Sequence, residues 1–219
     1  MKRFIIIFYF ILFSCLNEKN NLIIDGNISG VKNSYIYLSI VESNKIVDSS
    51  KVVNGKFTLE TFINEPLEMC LILDKKNSDD KFNFISEPAN ILFTSSKKKF
   101  EFNGQIKNSS LNSEFEKLKS QINKYEDKDL EMLGKQIEAS IEKNEKKYDS
   151  LNKERVRFTQ KKILFIVNYC VNNNMNNLSP YLAYKYKENI NYHYLENIFR
   201  NLSEEMKKTY YGSRLISNP

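Results

Sequence analysis

The residues best suited to chemistry in this sequence are three cysteines and a single histidine: Cys15, Cys70, Cys170 and His193. No two of the cysteines stand in a C-x-x-C spacing, which excludes a thioredoxin-type redox centre within the sequence. A single histidine excludes a metal site built from several imidazoles and a triad with a second supporting imidazole. Within Asn191-Tyr192-His193-Tyr194, the histidine is expected at the surface or half-buried rather than in a catalytic role.

Cys15 ends a segment that has the layout of an export signal. Lys2-Arg3 form a basic start, an apolar run extends from Phe4 to Phe13, and the small residue Ser14 precedes the cysteine. A transmembrane helix needs about 20 apolar residues, and this run has about half of them. We therefore interpret residues 1–15 as a signal peptide, with an uncleaved N-terminal anchor as the alternative.

The residues next to Cys15 indicate a signal of the bacterial lipoprotein type. Such a signal has an aliphatic residue at position −3, a small residue at −1 and cysteine at +1, and Leu12, Ser14 and Cys15 fit these positions. Phe13 at −2 is bulkier than usual. The sequence predicts that Cys15 becomes the mature N-terminus and carries several acyl chains, each buried methylene contributing about 0.8 kcal/mol to membrane binding. Residues 16–21 would then be a tether that joins the folded protein, outside the cytoplasm, to a membrane.

The charge balance indicates a solvated surface rather than a nucleic-acid-binding protein. The formal net charge is +6, and Lys2 and Arg3 of the leader account for two of these charges. Hydrophobic residues make up 41% and charged residues 27% of the chain, which is typical of a folded globular protein. The dense run Lys97-Lys98-Lys99 is interpreted as a turn between two strands, with contact to anionic lipid headgroups as the alternative.

Cys70 and Cys170 both lie among apolar residues, where a free cysteine behaves as a small hydrophobic side chain. An oxidising compartment would permit a disulfide between them. Whether the two meet depends on the fold, because the Cα atoms of a disulfide must come close together.

A β-rich domain is predicted over residues 22–104, because apolar residues alternate there and turn residues interrupt them about every 8–12 positions. This pattern is typical of an antiparallel β-sandwich or barrel of about seven or eight strands. Asn54-Gly55 predicts a type I′ hairpin turn, and Gly26 a bend or bulge. The predicted strands are Leu22–Ile28, Tyr35–Val41, Ile46–Val53, Lys56–Phe62, Leu67–Leu73, Phe82–Ile85, Asn90–Thr94 and Lys99–Phe102.

From about Ser110 the apolar residues take the spacing of a helix. The chain is therefore predicted to be α+β, with an all-helical region over residues 110–219. Two consecutive segments each have one apolar side, formed by Leu111, Phe115, Leu118, Ile122 and Tyr125 in the first and by Leu130, Leu133, Ile137 and Ile141 in the second.

The later helices are predicted from polar stretches and caps. The stretch from Glu142 to Arg157 is expected to be helical through to Phe165–Val171, with a hairpin break near Asp149-Ser150 as the alternative. Ser179-Pro180 predicts a helix start with a cap and a proline at the first position. Further helices are expected over Tyr192–Leu202 and from Ser203.

No residue is assigned to catalysis, to a cofactor or to a metal, and the chain is not expected to be an enzyme. The sequence contains neither a P-loop nor a G-x-G-x-x-G motif. Its acidic residues alternate with lysines, which favours solvated helices over a pair of glycosidase carboxylates. Five tyrosines could line a groove for a sugar or a peptide, although such spacing is more often core: Tyr181, Tyr184, Tyr186, Tyr192 and Tyr194.

A series of short motifs carries a family resemblance. In order they are Leu22-Ile23-Ile24-Asp25-Gly26-Asn27-Ile28-Ser29-Gly30, Tyr37-Leu38, Asp48-Ser49, Val53-Asn54-Gly55-Lys56-Phe57, Ser86-Glu87-Pro88-Ala89 and Phe102-Asn103-Gly104. Together they resemble the N-terminal domain of unknown function of Bacteroidota-type envelope lipoproteins. The helical part is similar too, at Asn177-Leu178-Ser179-Pro180-Tyr181 and Lys208-Thr209-Tyr210-Tyr211-Gly212.

In that family the domain usually precedes a helical segment and a thioredoxin-like thiol–disulfide oxidoreductase domain. This sequence ends at Pro219, where the last domain would begin, and Cys70 and Cys170 do not match its redox cysteines. The matching positions are structural, so the resemblance assigns no functional residue.

The sequence therefore favours a non-catalytic lipoprotein of the cell envelope that serves as a binding or scaffolding module, with a membrane and an envelope protein as expected partners. Three alternatives remain open. In the first, the chain is an accessory partner of a separate thioredoxin-like enzyme. In the second it is a binding protein for a glycan, peptide or lipid, and in the third it is a truncated oxidoreductase remnant.

Overall fold

The computed structural model describes residues 19–74 and 80–216. Within these ranges one eight-stranded sheet is followed by five α-helices, which confirms the predicted α+β class. The predicted leader with Cys15 and residues 16–18 of the tether lie outside the described residues. The strands are β1 (Leu22–Ser29), β2 (Asn33–Ile40), β3 (Lys45–Val53), β4 (Lys56–Thr61), β5 (Glu68–Leu73), β6 (Lys81–Ile85), β7 (Asn90–Ser96) and β8 (Gln105–Lys107).

The sheet has the strand order β6-β5-β2-β3-β4-β1-β7-β8 and is mixed rather than wholly antiparallel. β1 pairs with β4 in antiparallel orientation on one side and with β7 in parallel orientation on the other. No hairpin joins β1 to β7, so their relative direction is set by the longer path of the chain and not by a turn signal that the sequence could reveal.

The sheet curls so that strands far apart in its order meet around one core. Phe82 in β6 and Phe93 in β7 lie almost at opposite ends of that order, yet their ring centroids are 5.1 Å apart. A Cβ on Gly104, just before β8, would lie 2.2 Å from the Phe82 ring. This closure produces the sandwich- or barrel-like core expected from the alternating apolar pattern.

The predicted strand Lys99–Phe102 is wrong, because these residues form a turn and the last strand is β8. Lys99 has a positive φ of 60°, which breaks strand pairing. The Ser95 hydroxyl donates to the carbonyl of Phe100 at 2.6 Å, and the Phe100 ring is buried in the core. The lysine run at 97–99 therefore lies in a connection between two strands, as expected.

Gly26 does not create the predicted bend, since β1 and β4 stay in register through the pair Gly26–Phe57. The irregularity lies between β2 and β3, at Leu38 and Ser39. Gly26 instead leaves room for the Phe57 ring, which would lie 2.0 Å from a Cβ at this position. The Asn54-Gly55 turn is confirmed, with φ values of 52° and 81°.

The helical part begins with a long antiparallel hairpin on which the shorter helices pack. Its apolar core includes residues of the first helix up to Ile122 and of the second from Ile163 onward. The remainder of the hairpin extends beyond that core as an arm. The helices are α1 (Ser110–Ile141), α2 (Glu145–Asn172), α3 (Leu178–Lys185), α4 (Tyr192–Asn201) and α5 (Glu204–Lys208).

The expectation of a helix running through Glu142–Arg157 is wrong. The alternative, a helical hairpin, is correct, but the break lies before the predicted position at Asp149-Ser150. The chain reverses at residues 142–144, where Lys143 has a φ of 52°. The Asn144 side chain accepts a hydrogen bond from the backbone N–H of Lys147 at 3.1 Å and so caps α2. The signal for the chain reversal was therefore the cap residue Asn144, which lies within a charged stretch.

The contact between α1 and α2 in the arm is partly polar. Arg155 of α2 donates to Asp129 Oδ1 at 2.9 Å and to Gln136 Oε1 at 2.8 Å. The second predicted apolar segment is helical as expected and forms the latter half of α1. Its apolar side does not face α2, because Leu130, Ile137 and Ile141 are 67%, 54% and 77% exposed.

The predicted cap at Ser179 is wrong. α3 begins at Leu178, and Ser179 is buried, with its hydroxyl donating to the carbonyl of Asn173 at 2.7 Å. The helices predicted over Tyr192–Leu202 and from Ser203 are confirmed: α4 ends at Asn201, and Ser203 caps α5. No helix in the described ranges has both the length and the apolar character needed to cross a bilayer.

Candidate binding cleft between the sheet and the helices

The candidate chemical residues lie in three different elements of the fold. Cys70 in β5 and Cys170 in α2 are both buried and both free. Burial raises the pKa of the Cys70 thiol, and it raises the pKa of the Cys170 thiol to about 12. His193 lies exposed in the first turn of α4, where its backbone N–H donates to the side chain of Asn191 at 3.0 Å.

The first turn of α1 is fixed to the end of β6 by two side chains. Asn112 accepts from the backbone N–H of Ile85 at 2.9 Å and donates to its carbonyl at 2.6 Å. Glu87 accepts hydrogen bonds from the Ser109 hydroxyl and, at 3.2 Å, from the backbone N–H of Leu111. Negative charge at a helix N-terminus is favourable. The Ser86-Glu87-Pro88-Ala89 motif therefore joins the sheet to the helices.

A second joint connects the end of the helical part to the sheet. The hydroxyl of Tyr211 accepts from the backbone N–H of Glu68 at 2.8 Å and donates to Glu42 Oε1. Burial and the bond to Glu42 raise the pKa of Tyr211. The backbone N–H of Tyr210 donates to Glu65 at 2.6 Å. Helices and sheet are thus held together at two places.

The sheet and the helices also form an open cleft of about 240 Å³. Its walls come from β5 and β6, the turn before β8, α1 and α3, so both parts of the fold contribute. The cleft combines cations, anions, amides and apolar groups, and the residues that line it include Glu68, Asn83, Glu101, Lys119, Asn123, Glu126, Lys185 and Tyr186.

The floor of the cleft contains an ion pair between a buried carboxylate and an exposed ammonium. Lys185 Nζ lies 3.1 Å from Glu68 Oε1, and the two side chains are 41% and 9% exposed. The same ammonium donates to the Tyr181 hydroxyl at 2.8 Å, and Asn83 donates to Glu68 Oε1 at 3.3 Å. Burial, together with Glu68, raises the pKa of Tyr181. This network links β5, β6 and α3.

The predicted tyrosine groove is only partly assembled. Tyr181 and Tyr184 pack with Tyr211, at ring centroid distances of 5.2 and 5.3 Å. Tyr186 lines the cleft, whereas Tyr192 and Tyr194 lie exposed on α4. The aromatic residues therefore form mainly a contact between helices and sheet, and one of them faces the cleft.

Sequence reasoning missed Glu68 and Lys185, the ion pair at the floor of the cleft. A carboxylate at the start of the apolar run Met69-Cys70-Leu71 was the available signal, because a charge in a buried strand needs a partner. Within residues 19–74 and 80–216, no group of three or more histidine, cysteine or acidic side chains is placed to hold a metal ion.

Residues 22–115 match the family model described as "Domain of unknown function (DUF4369)". The match covers the whole sheet and continues to Phe115 in α1, so it includes the joint at Asn112. A domain of unknown function is thus found where the sequence motifs implied one, and the link to thiol–disulfide oxidoreductases stays a prediction. Neither a curated protein nor a solved structure matches the chain.

Proposed function

We propose that this chain is a non-catalytic binding module of the cell envelope, held at a membrane through lipid on Cys15. The leader pattern at residues 1–15 supports the anchor. The observation that carries the binding role is the Glu68–Lys185 pair on the floor of a cleft to which sheet and helices both contribute.

Lys185 is exposed in the cleft while it pairs with the buried Glu68, so the pair both compensates a buried carboxylate and presents a cation to a ligand. The pair therefore supports a role in recognition. An ammonium has three N–H donors, and Lys185 uses two of them on Glu68 and Tyr181. The third is left for a ligand with an acceptor oxygen.

The cleft fits a small ligand that carries both charges. Its volume of about 240 Å³ is below the roughly 300–1,000 Å³ of pockets for drug-sized molecules. Lys119 and Lys185 would attract a carboxylate, while Glu101 and Glu126 would attract an ammonium group. An amino acid or a dipeptide has this chemistry.

The thiols support a non-catalytic role. A thiolate is the reactive form of cysteine. Burial holds the pKa of Cys170 at about 12 and raises that of Cys70, so both remain protonated near neutral pH. The resemblance to oxidoreductase lipoproteins would then concern the scaffold rather than the redox reaction.

Calorimetric titration of the full chain with glycylglycine tests the cleft, with N-acetylglucosamine as an uncharged comparison. We expect binding of the dipeptide, weakened about tenfold or more by Lys119→Glu. Lys117→Glu is the matched control, because Lys117 is also exposed on α1 but does not line the cleft. No binding of the dipeptide, or equal loss in both variants, would refute this site.

Metabolic labelling with a palmitate analogue tests the anchor. Label and membrane association should both be lost in Cys15→Ala and retained in Cys170→Ala, which removes a buried thiol. Label that persists without Cys15, or an unlabelled wild-type chain, would contradict lipidation at this residue.

A further inference from the structure

The arm of the helical hairpin carries an apolar stripe that no other described element covers. We define the stripe as Leu130, Leu133, Ile137 and Ile141. Its three most exposed members are 67%, 54% and 77% exposed, and Leu133 is partly buried. The spacing of three and four residues places all four on one side of α1.

The stripe is exposed because a different side of α1, which includes the buried Met132, Gln136 and Ala139, packs in the hairpin. Asp129 and Gln136 face α2, where they accept hydrogen bonds from Arg155. The residues of the stripe lie on a neighbouring side of α1 that does not face α2. Nearer the sheet, the same side of α1 carries Lys119 and Asn123 and is covered by α3 at the cleft. The stripe begins where that cover ends.

Gly134 lies next to the stripe and permits a close approach of another helix. A Cβ at this position would meet nothing within 4 Å. Glycine in a helix interior costs about 1 kcal/mol relative to alanine, and a small residue lets a second helix approach the backbone. An exposed apolar patch with polar margins is typical of a contact surface between proteins.

The charges on either side of this face have opposite signs. On the margin of α1 that points away from α2 lie Asp127 and Glu138, and on the far margin of α2 lie Lys153 and Arg157. All four are exposed, and none forms an ion pair within the described part of the chain. The face therefore has an acidic margin, an apolar centre and a basic margin.

Such a face is complementary to itself. In a two-fold pair each surface patch meets its own copy. A two-fold axis directed along the hairpin sets the acidic margin of one copy against the basic margin of the other, with the two stripes between them. Charge complementarity of this kind sets the register of helix pairs.

We infer that the chain associates with a second copy of itself through the arm, by pairing the stripes of two α1 helices. The axis along the hairpin directs both copies the same way, which suits two chains tethered to one membrane. Self-association through the arm is separate from the cleft and holds whether or not the cleft binds a dipeptide.

Cross-linking in intact membranes tests the pairing, using two differently tagged copies of the full chain. Ile137→Cys supplies an exposed thiol, and a bismaleimide is added before detergent so that detergent does not compete for the stripe. The wild-type chain with its own cysteines is the background control. We expect cross-linked pairs of the two tagged copies only when Ile137→Cys is present.

Charge reversal then separates this pairing from non-specific apolar contact. In the Ile137→Cys background, the double variant Asp127→Lys/Glu138→Lys has two basic margins, and Lys153→Glu/Arg157→Glu has two acidic ones. Each alone should lose about 90% or more of the cross-link, corresponding to a tenfold or greater weakening. Co-expressing the two should restore it, because opposite margins then meet.

Lys117→Glu/Lys124→Glu is the matched control, since both lysines are exposed on a different side of α1. It should leave the cross-link unchanged. Absence of a cross-link between copies, equal loss in the control, or failure of co-expression to restore pairing would each overturn the inference. So would a cross-link that forms only to a different envelope protein.

Discussion

The hydroxyl of Tyr211, near the end of the described chain, accepts a hydrogen bond from the backbone N–H of Glu68 in β5 at 2.8 Å. The same hydroxyl donates to Glu42 Oε1, while Glu42 Oε2 is buried and accepts no hydrogen bond from the described residues. One phenol thus supplies partners for a buried backbone donor and a carboxylate of the sheet. Sheet and helices depend on each other for these polar groups, so we expect them to unfold together.

Replacement of Tyr211 by phenylalanine should lower the free energy of unfolding by about 1–3 kcal/mol, since it leaves Glu68 N–H and Glu42 without their partner. Urea denaturation of the full chain measures this. Tyr184→Phe is the matched control, because Tyr184 belongs to the same aromatic cluster but its hydroxyl has no hydrogen bond to a described residue. Equal effects of the two variants would show that the loss comes from the ring environment and not from the hydrogen bonds.

Asn112→Ala should separate the first turn of α1 from β6. The variant leaves the N–H and the carbonyl of buried Ile85 unpaired, so we expect a loss of about 2 kcal/mol or more. Asn123→Ala gains the same intrinsic helix propensity at an exposed position of α1 and should be neutral or stabilising. A neutral Asn112→Ala would mean that the joint contributes little to stability.

The sequence revealed the elements whose signals are local. Apolar patterning, mostly by alternation, identified seven of the eight strands. Asn54-Gly55 identified the hairpin turn, because a type I′ turn requires positive φ values at both central positions. The wrong prediction of a strand at Lys99–Phe102 also had a local cause. Phe100 looked like a strand residue because it is apolar, but it lies in a turn, where its carbonyl accepts a hydrogen bond from the Ser95 hydroxyl.

The features that depend on distant contacts could not be predicted. The parallel pairing of β1 with β7 and the Glu68–Lys185 pair both join residues far apart in the sequence. The apolar side of the second half of α1 was recognised, but periodicity alone could not show that Asp129 and Gln136 face α2 in its place. Periodicity gives the side of a helix and not what that side meets.

Gly26→Val should destabilise the sheet by about 1–3 kcal/mol, because its Cβ would lie 2.0 Å from the Phe57 ring, which must then move within a packed core. Thermal unfolding of the full chain measures the loss. Phe57→Leu removes the ring, so the double variant should be less destabilised than the sum of the two single changes. Additive effects would show that the ring and the glycine do not interact.

The alkaline stability of the protein should depend on Cys170. Its pKa is raised from 9.0 to about 12 by burial, so the unfolded chain ionises first as the pH rises. The stabilisation from this thiol is therefore complete below pH 9 and is lost progressively between pH 9 and 12. Between pH 8 and 10 the loss should be about 1.4 kcal/mol in urea unfolding.

Cys170→Ala tests this pH dependence. The variant leaves a cavity that lowers stability equally at both pH values, and the stability difference between pH 8 and 10 should be smaller than in the wild-type chain by about 1.4 kcal/mol. An unchanged pH dependence would mean that the Cys170 thiol ionises as readily in the folded protein as in the unfolded one.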